Sequence, residues 1–125
     1  MAQHIKQRQG MNMRTLMLAA LVGVWATGAI AHSPLKATTP KNEAVMTEVP
    51  TEVLLDFKGK IRLTRVEMTH ANHPSVDLDL SGHKGFISDY AIPLQGMGEG
   101  PYLIKWRGLG ADGHALDGSF SFTVQ

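Results

Sequence analysis

The chain has 125 residues, enough for one domain and short for two. It contains no cysteine, so disulfides, thiolate chemistry and Cys-based zinc sites are excluded, and any metal must be held by His, Asp, Glu, Met or the main chain. The formal charge of +1 misleads: three of the twelve Lys and Arg (Lys6, Arg8, Arg14) lie in the acid-free first 31 residues, and what remains is nine cations against eleven acids. A net of −2 with interspersed signs leaves no electrostatic footprint for nucleic acid.

Residues 1–14 are basic and are followed by an apolar run from Leu16 to Ala26 that closes on Ala29-Ile30-Ala31. This is the pattern of an export signal with an A-x-A cleavage site. The apolar stretch is marginal for a span of about 20 residues and ends in small residues rather than charges. Cleavage is therefore expected after Ala31, which places the mature domain at 32–125 in the periplasm and makes His32 its first residue. Its α-nitrogen is then a free amine, so amine and imidazole of one residue can chelate the same ion.

The mature part reads as short strands between turn residues. Leu35-Lys36-Ala37-Thr38 is a first strand, stopped by Pro40 and a Lys41-Asn42-Glu43 turn. Residues 52–57 alternate, with Val53, Leu55 and Phe57 on one face, and Lys58-Gly59-Lys60 is expected to break them from a third strand over 61–69. There the apolar phase slips between Leu63 and Val66, which predicts a bulge. Residues 76–80 alternate, with Asp77 and Asp79 toward solvent, and 86–94 follow as another strand. Tyr102, Ile104 and Trp106 share a face, as do Phe120, Phe122 and Val124 of the last strand, with Asp117-Gly118 expected as the turn into it. Turn signals every 8–12 residues and the lack of any amphipathic helix predict an all-β fold, an immunoglobulin-like Greek-key β-sandwich of about seven strands, or an Ig-like or cupredoxin-like barrel.

Asp112-Gly113-His114 is the segment with metal chemistry. In extended backbone, positions i and i+2 project to one side, so carboxylate and imidazole can meet one ion, although the same tripeptide also suits a plain polar loop. An amine, imidazoles and a carboxylate are N/O donors that suit Cu(II), then Ni(II), with Zn(II) also compatible. His70, His73 and His83 form another histidine group, read as solvated loop, and Met68 is in core phase. Met46, Met68 and Met97 are too dispersed in sequence for a methionine-rich Cu(I) site.

From His32 to Gln125 the chain resembles the copper-resistance CopC family of periplasmic copper carriers. At the start, His32 directly follows the signal, with Leu35, Pro40 and Ala44-Val45 in family-like spacing. At the end, Trp106, Asp112-Gly113-His114, Gly118, Phe120, Phe122 and Val124 follow the pattern W…DGH…G-x-F-x-F-x-V. The resemblance implies a Cu(II) site of His32, Asp112 and His114, a buried Trp106 near that end, and a partner such as an inner-membrane copper transport protein of the CopD type. Two positions depart from the family: Gly110 stands where many members have Ser, and Lys58-Gly59-Lys60 where many have an acid after the second strand's Phe.

The resulting expectation is a copper carrier or buffer that does no chemistry beyond ligand exchange and is not an enzyme. The alternatives are a copper-dependent oxidative enzyme, which needs a broad flat substrate surface, and a metal-free β-sandwich interaction module. The second requires His32, Asp112 and His114 to lie apart.

Overall fold

The computed structural model describes residues 33–125; the expected export signal, its expected cleavage point and His32 lie outside the described residues. These residues form one compact unit, Ser33–Gln125, of seven strands without a helix. They are β1 Leu35–Thr39, β2 Ala44–Met46, β3 Glu52–His70, β4 Val76–Asp77, β5 Ile87–Pro93, β6 Gly100–Gly110 and β7 Ala115–Val124. The sheet runs β1-β3-β6-β7-β2 and curls on itself, with β4 and β5 also paired to β3.

The strand faces follow the alternation in the sequence. Val53, Leu55, Phe57, Ile61, Leu63, Val66 and Met68 are buried along β3, as are Tyr102, Ile104 and Trp106 on β6 and Phe120, Phe122 and Val124 on β7. The bulge appears where the phase slips, with the β3–β6 register shifting between Leu63 and Arg65. Burying these side chains contributes roughly 25 cal/mol for each Å² of apolar surface removed from water. Aromatic edges add to this, with Phe57 T-shaped to Trp106 at 5.1 Å and to Tyr90 at 5.9 Å.

Three local expectations are corrected, and one strand is added. Lys58-Gly59-Lys60 does not end a strand: β3 is continuous over 19 residues. The ladders with β1 and β5 stop at Phe57 and Asp56 and those with β5 and β6 resume at Ile61; between them the Lys58 amide bonds Pro34 O, and the discontinuity appears as a shift of the β3–β5 register between Asp56 and Ile61. Asp117 and Gly118 are not a turn but lie inside β7, opposite Arg107 and Trp106. The strand at 76–80 shrinks to Val76–Asp77, which face Met68 and Glu67 of β3; beyond them a single bond, from the Leu78 amide to Val66 O at 2.8 Å, is all that ties the segment to β3 through its main chain. Ala44–Met46, left unassigned by periodicity, pairs in parallel with 122–124 of β7.

The topology of β3 positions the rest. Leu54, Leu55 and Asp56 pair with both β1 and β5, so those two strands occupy opposite edges of β3. Ile61 pairs with both Ile87 of β5 and Gly110 of β6, which puts β6 on the edge opposite β5. Strands β1 and β6 therefore share one edge of β3, end to end.

Candidate metal centre

Both strands on that shared edge run antiparallel to β3, and their ends converge. β1 begins where Leu35 faces Phe57, with the Lys58 amide donating to the Pro34 carbonyl at 2.9 Å. β6 finishes where Gly110 faces Ile61. From Lys58 to Ile61 is three strand steps, about 10 Å. The first described residues and the β6–β7 connection thus meet at one corner of the fold.

That connection, residues 111–114, is a tight hairpin. The Gly113 amide donates to Gly110 O and the Gly110 amide to His114 O, each at 2.9 Å. Gly113 adopts φ +86°, a left-handed conformation that glycine enters without steric cost and other residues rarely do. Asp112 and His114 come together through this turn, not through the extended geometry read from the sequence. The structure corrects the reason and keeps the pairing.

The pair is doubly tied. Asp112 Oδ1 accepts from the His114 backbone amide at 3.1 Å, and Oδ2 accepts from the ring Nδ1 at 2.8 Å. Both side chains are open to solvent, 68% and 82% exposed for Asp112 and His114. The hydrogen bond from His114 holds the Asp112 carboxyl below its ordinary range, and the same bond, with the attraction between the charges, raises the His114 imidazole. With Nδ1 donating, the remaining lone pair of the neutral ring sits on Nε2, which is the tautomer logic of a carboxylate-oriented metal ligand.

Gly110 takes part by lacking a side chain. A Cβ there would stand 2.9 Å from Asp112 Oδ1, so the carboxylate occupies space that a serine at this position would contest. Trp106 is 1% exposed, as expected, and lies directly beneath Gly118.

Among the described residues no three His, Asp or Glu side chains gather around a common point, so Asp112 and His114 are a partial ligand set. The His70 expectation is corrected: it is 6% exposed at the end of β3, not solvated. It packs on Tyr102 at 4.6 Å and donates from Nε2 to Glu99 O at 2.7 Å, because β3 runs on to carry it under the 94–99 loop. His73 stacks on it at 5.4 Å, while His83 is engaged elsewhere, donating to Ala91 O. Met68 is core, as expected, but it lines a surface cleft of about 660 Å³ together with Met97, which sequence distance concealed. Tyr90 was also missed as an organiser. Its hydroxyl accepts from Leu63 N at 3.2 Å and lies 2.5 Å from Ile61 O and 3.2 Å from Gly85 O, fastening β5 to β3. The sequence marked only the strand that carries it.

Fold and corner together define an all-β domain with an exposed imidazole–carboxylate pair on a hairpin next to its first strand. Residues 35–125 match the model of the CopC domain, and the chain belongs to the CopC family. It is 24% identical over 122 residues to Copper resistance protein C of Escherichia coli, covering 90% of this chain and 96% of the relative. Among solved structures it resembles CopC of Methylosinus trichosporium OB3b, with TM-score 0.62 and 23% identity over 75% of this chain and 94% of that one. It also resembles PcoC of Escherichia coli, described as a methionine-rich copper resistance protein, with TM-score 0.52 and 23% identity over 76% and 100% of the two chains. At these identities the structural likenesses speak for the fold.

Proposed function

We propose that the protein, exported and cut after Ala31, carries Cu(II) in the periplasm as cargo, held by the amine and imidazole of His32 with Asp112 and His114. The observation that carries this reading is the convergence of Ser33–Leu35 and the 111–114 hairpin on one edge of β3. One residue of chain reaches at most about 3.6 Å, so a ligand at position 32 needs its neighbour at this corner and not at the far pole. The donors fit the ion: imidazole and amine nitrogens with one carboxylate are what Cu(II) takes ahead of other divalent ions.

The residues divide the work. Asp112 aims the His114 ring through Nδ1 and keeps Nε2 outward; its two oxygens have further lone pairs to offer a metal. Gly113 makes the turn that brings them together. Solvent exposure of both lets copper exchange by ligand substitution, which suits transfer to a partner, of the CopD type, over catalysis. Against an oxidative enzyme, the core takes every large aromatic of the described residues except Phe86: Trp106, Tyr90, Tyr102, Phe57, Phe120 and Phe122 are all buried.

The test is a Cu(II) titration of the processed protein beside His114→Ala and Asp112→Ala. Loss of one ligand is expected to weaken binding at least 10-fold, in the range seen when even supporting groups of metal sites are removed. Unchanged affinity in His114→Ala overturns the assignment.

A further inference from the structure

The geometry points to the outward sheet face beside the hairpin corner as a docking surface for an anionic lipid bilayer. This goes beyond the copper reading and does not depend on it. Past Phe57, the residues of β3 that alternate with buried Ile61 and Leu63 are Lys58, Lys60 and Arg62, all exposed. Ile61 faces Ile87, so Phe86, just before β5, comes beside Arg62 and is 44% exposed. Lys84 precedes it by two residues and is also exposed. The Tyr90 hydroxyl, bound between Ile61 and Gly85, holds this segment against β3. On the other side of Arg62 stands Leu109, half-buried, one residue from Gly110.

The charges here are unbalanced. Among the described residues, no acid lies within ion-pair distance of Lys58, Lys60, Arg62 or Lys84, whereas Arg65 has Glu67 at 2.9 Å and Asp77 at 3.0 Å. Four of the nine cations of residues 32–125 thus lie without an ion pair on 58–62 of β3 and on the segment that leads into β5, with Phe86 exposed beside Arg62, in a stretch of chain whose net charge is −2. The neighbouring acids are Asp112 on the hairpin, tied to His114, Asp117 of β7, which lines one cleft with Leu109 and lies opposite Arg107, and the Asp56–Asp89 pair nearer β1, with Lys36 beside it.

Composition selects the partner. Protein interfaces favour Arg and large aromatics and are depleted in Lys. Three of these four cations are Lys, with long stems that reach a charged plane without a fixed geometry. Lysines around an exposed Phe match an interfacial lipid contact, in which the cations meet headgroup phosphates and the ring enters the acyl boundary.

The experiment is vesicle sedimentation of the processed protein, its N terminus established by intact mass. The vesicles are phosphatidylethanolamine with phosphatidylglycerol, or phosphatidylcholine alone, at low and at physiological salt. Association with the anionic vesicles only, weakening with salt, is expected. Lys60→Glu/Arg62→Glu is expected to reduce it at least about 25-fold, near fivefold for each cation removed, and Phe86→Ser about fivefold. Thermal midpoints should stay at the wild-type value, since all three side chains are exposed. Equal binding to both vesicle types, or no loss in either variant, overturns the proposal. Binding to poly-L-glutamate without binding to vesicles also overturns it and assigns the patch to an acidic protein.

Discussion

Replacing Gly118 by alanine puts a methyl group where the indole of Trp106 already stands. The added Cβ would lie 2.7 Å from Cζ2 and 2.8 Å from Cε2 and Nε1 of that ring, closer than carbon atoms pack. Nor can the indole retreat, being 1% exposed, held edge-on by Phe57 at 5.1 Å and fixed at the middle of β6. Overfilling a packed core of this kind costs about 1–3 kcal/mol. In a domain of roughly 90 residues each kcal/mol moves the thermal midpoint by about 4–8 °C, so a fall of about 5–20 °C is expected. Far-ultraviolet circular dichroism of the processed protein measures it. Tryptophan emission adds a second readout, because in a protein that begins at His32, Trp106 is the sole indole. Gly59→Ala is the control: no atom lies within 4 Å of a Cβ there, and stability should hold. A Gly118→Ala protein that melts with the wild type refutes the idea that the glycine exists to seat the tryptophan.

Two further outcomes follow from charge. Asp89 faces Asp56 across β3 and β5, and the hydrogen bond between the two carboxyls, with their repulsion, raises the Asp89 carboxyl. A carboxyl raised by folding is destabilising once ionised, and the penalty grows from the ordinary carboxylate range up through the raised value. Asp89→Asn should therefore melt higher than wild type at neutral pH and equal to it in acid; no difference at neutral pH counts against the pair. Copper binding should release the proton that Asp112 helps His114 retain, so apparent affinity is expected to fall at least about tenfold per pH unit below the raised imidazole value, His114 supplying one factor of ten and the His32 nitrogens the rest. In Asp112→Asn that fall should begin at lower pH, which a set of Cu(II) titrations from neutral to acid would show; identical onsets in both proteins contradict the coupling.

Legibility in the sequence followed locality. Alternation in 52–57, 102–106 and 120–124 sufficed to choose the buried face of three strands, because one side of each strand meets the core and the other meets water. The slip between Leu63 and Val66 marked the bulge for the same reason. Lys58-Gly59-Lys60 misled because a turn-like composition says nothing about the ladders that hold the chain extended on either side of it, at Asp56–Phe57 and at Ile61, and their partners come from elsewhere in the sequence. His70 was misjudged likewise: polar neighbours suggested a loop, while Tyr102 and Glu99 supply a stack and an acceptor that enclose it. Of the candidate site, Asp112 and His114 were readable from type and spacing. Their actual contact depends on the left-handed Gly113 and the open space at Gly110, which no periodicity records. The convergence of β1 and β6 needed the pairing of Ile61 with two strands at once.

The copper reading rests on a chain that begins at His32, and one comparison addresses it directly. Cu(II) affinity and electron paramagnetic resonance are measured for the processed protein and for a version with a single alanine ahead of His32, every other side chain unchanged. The terminal amine then moves one residue away, and the expected result is a loss of tight binding of at least about 10-fold together with an altered copper spectrum. The same affinity and the same spectrum in both proteins contradict a ligand set built on the amine of His32.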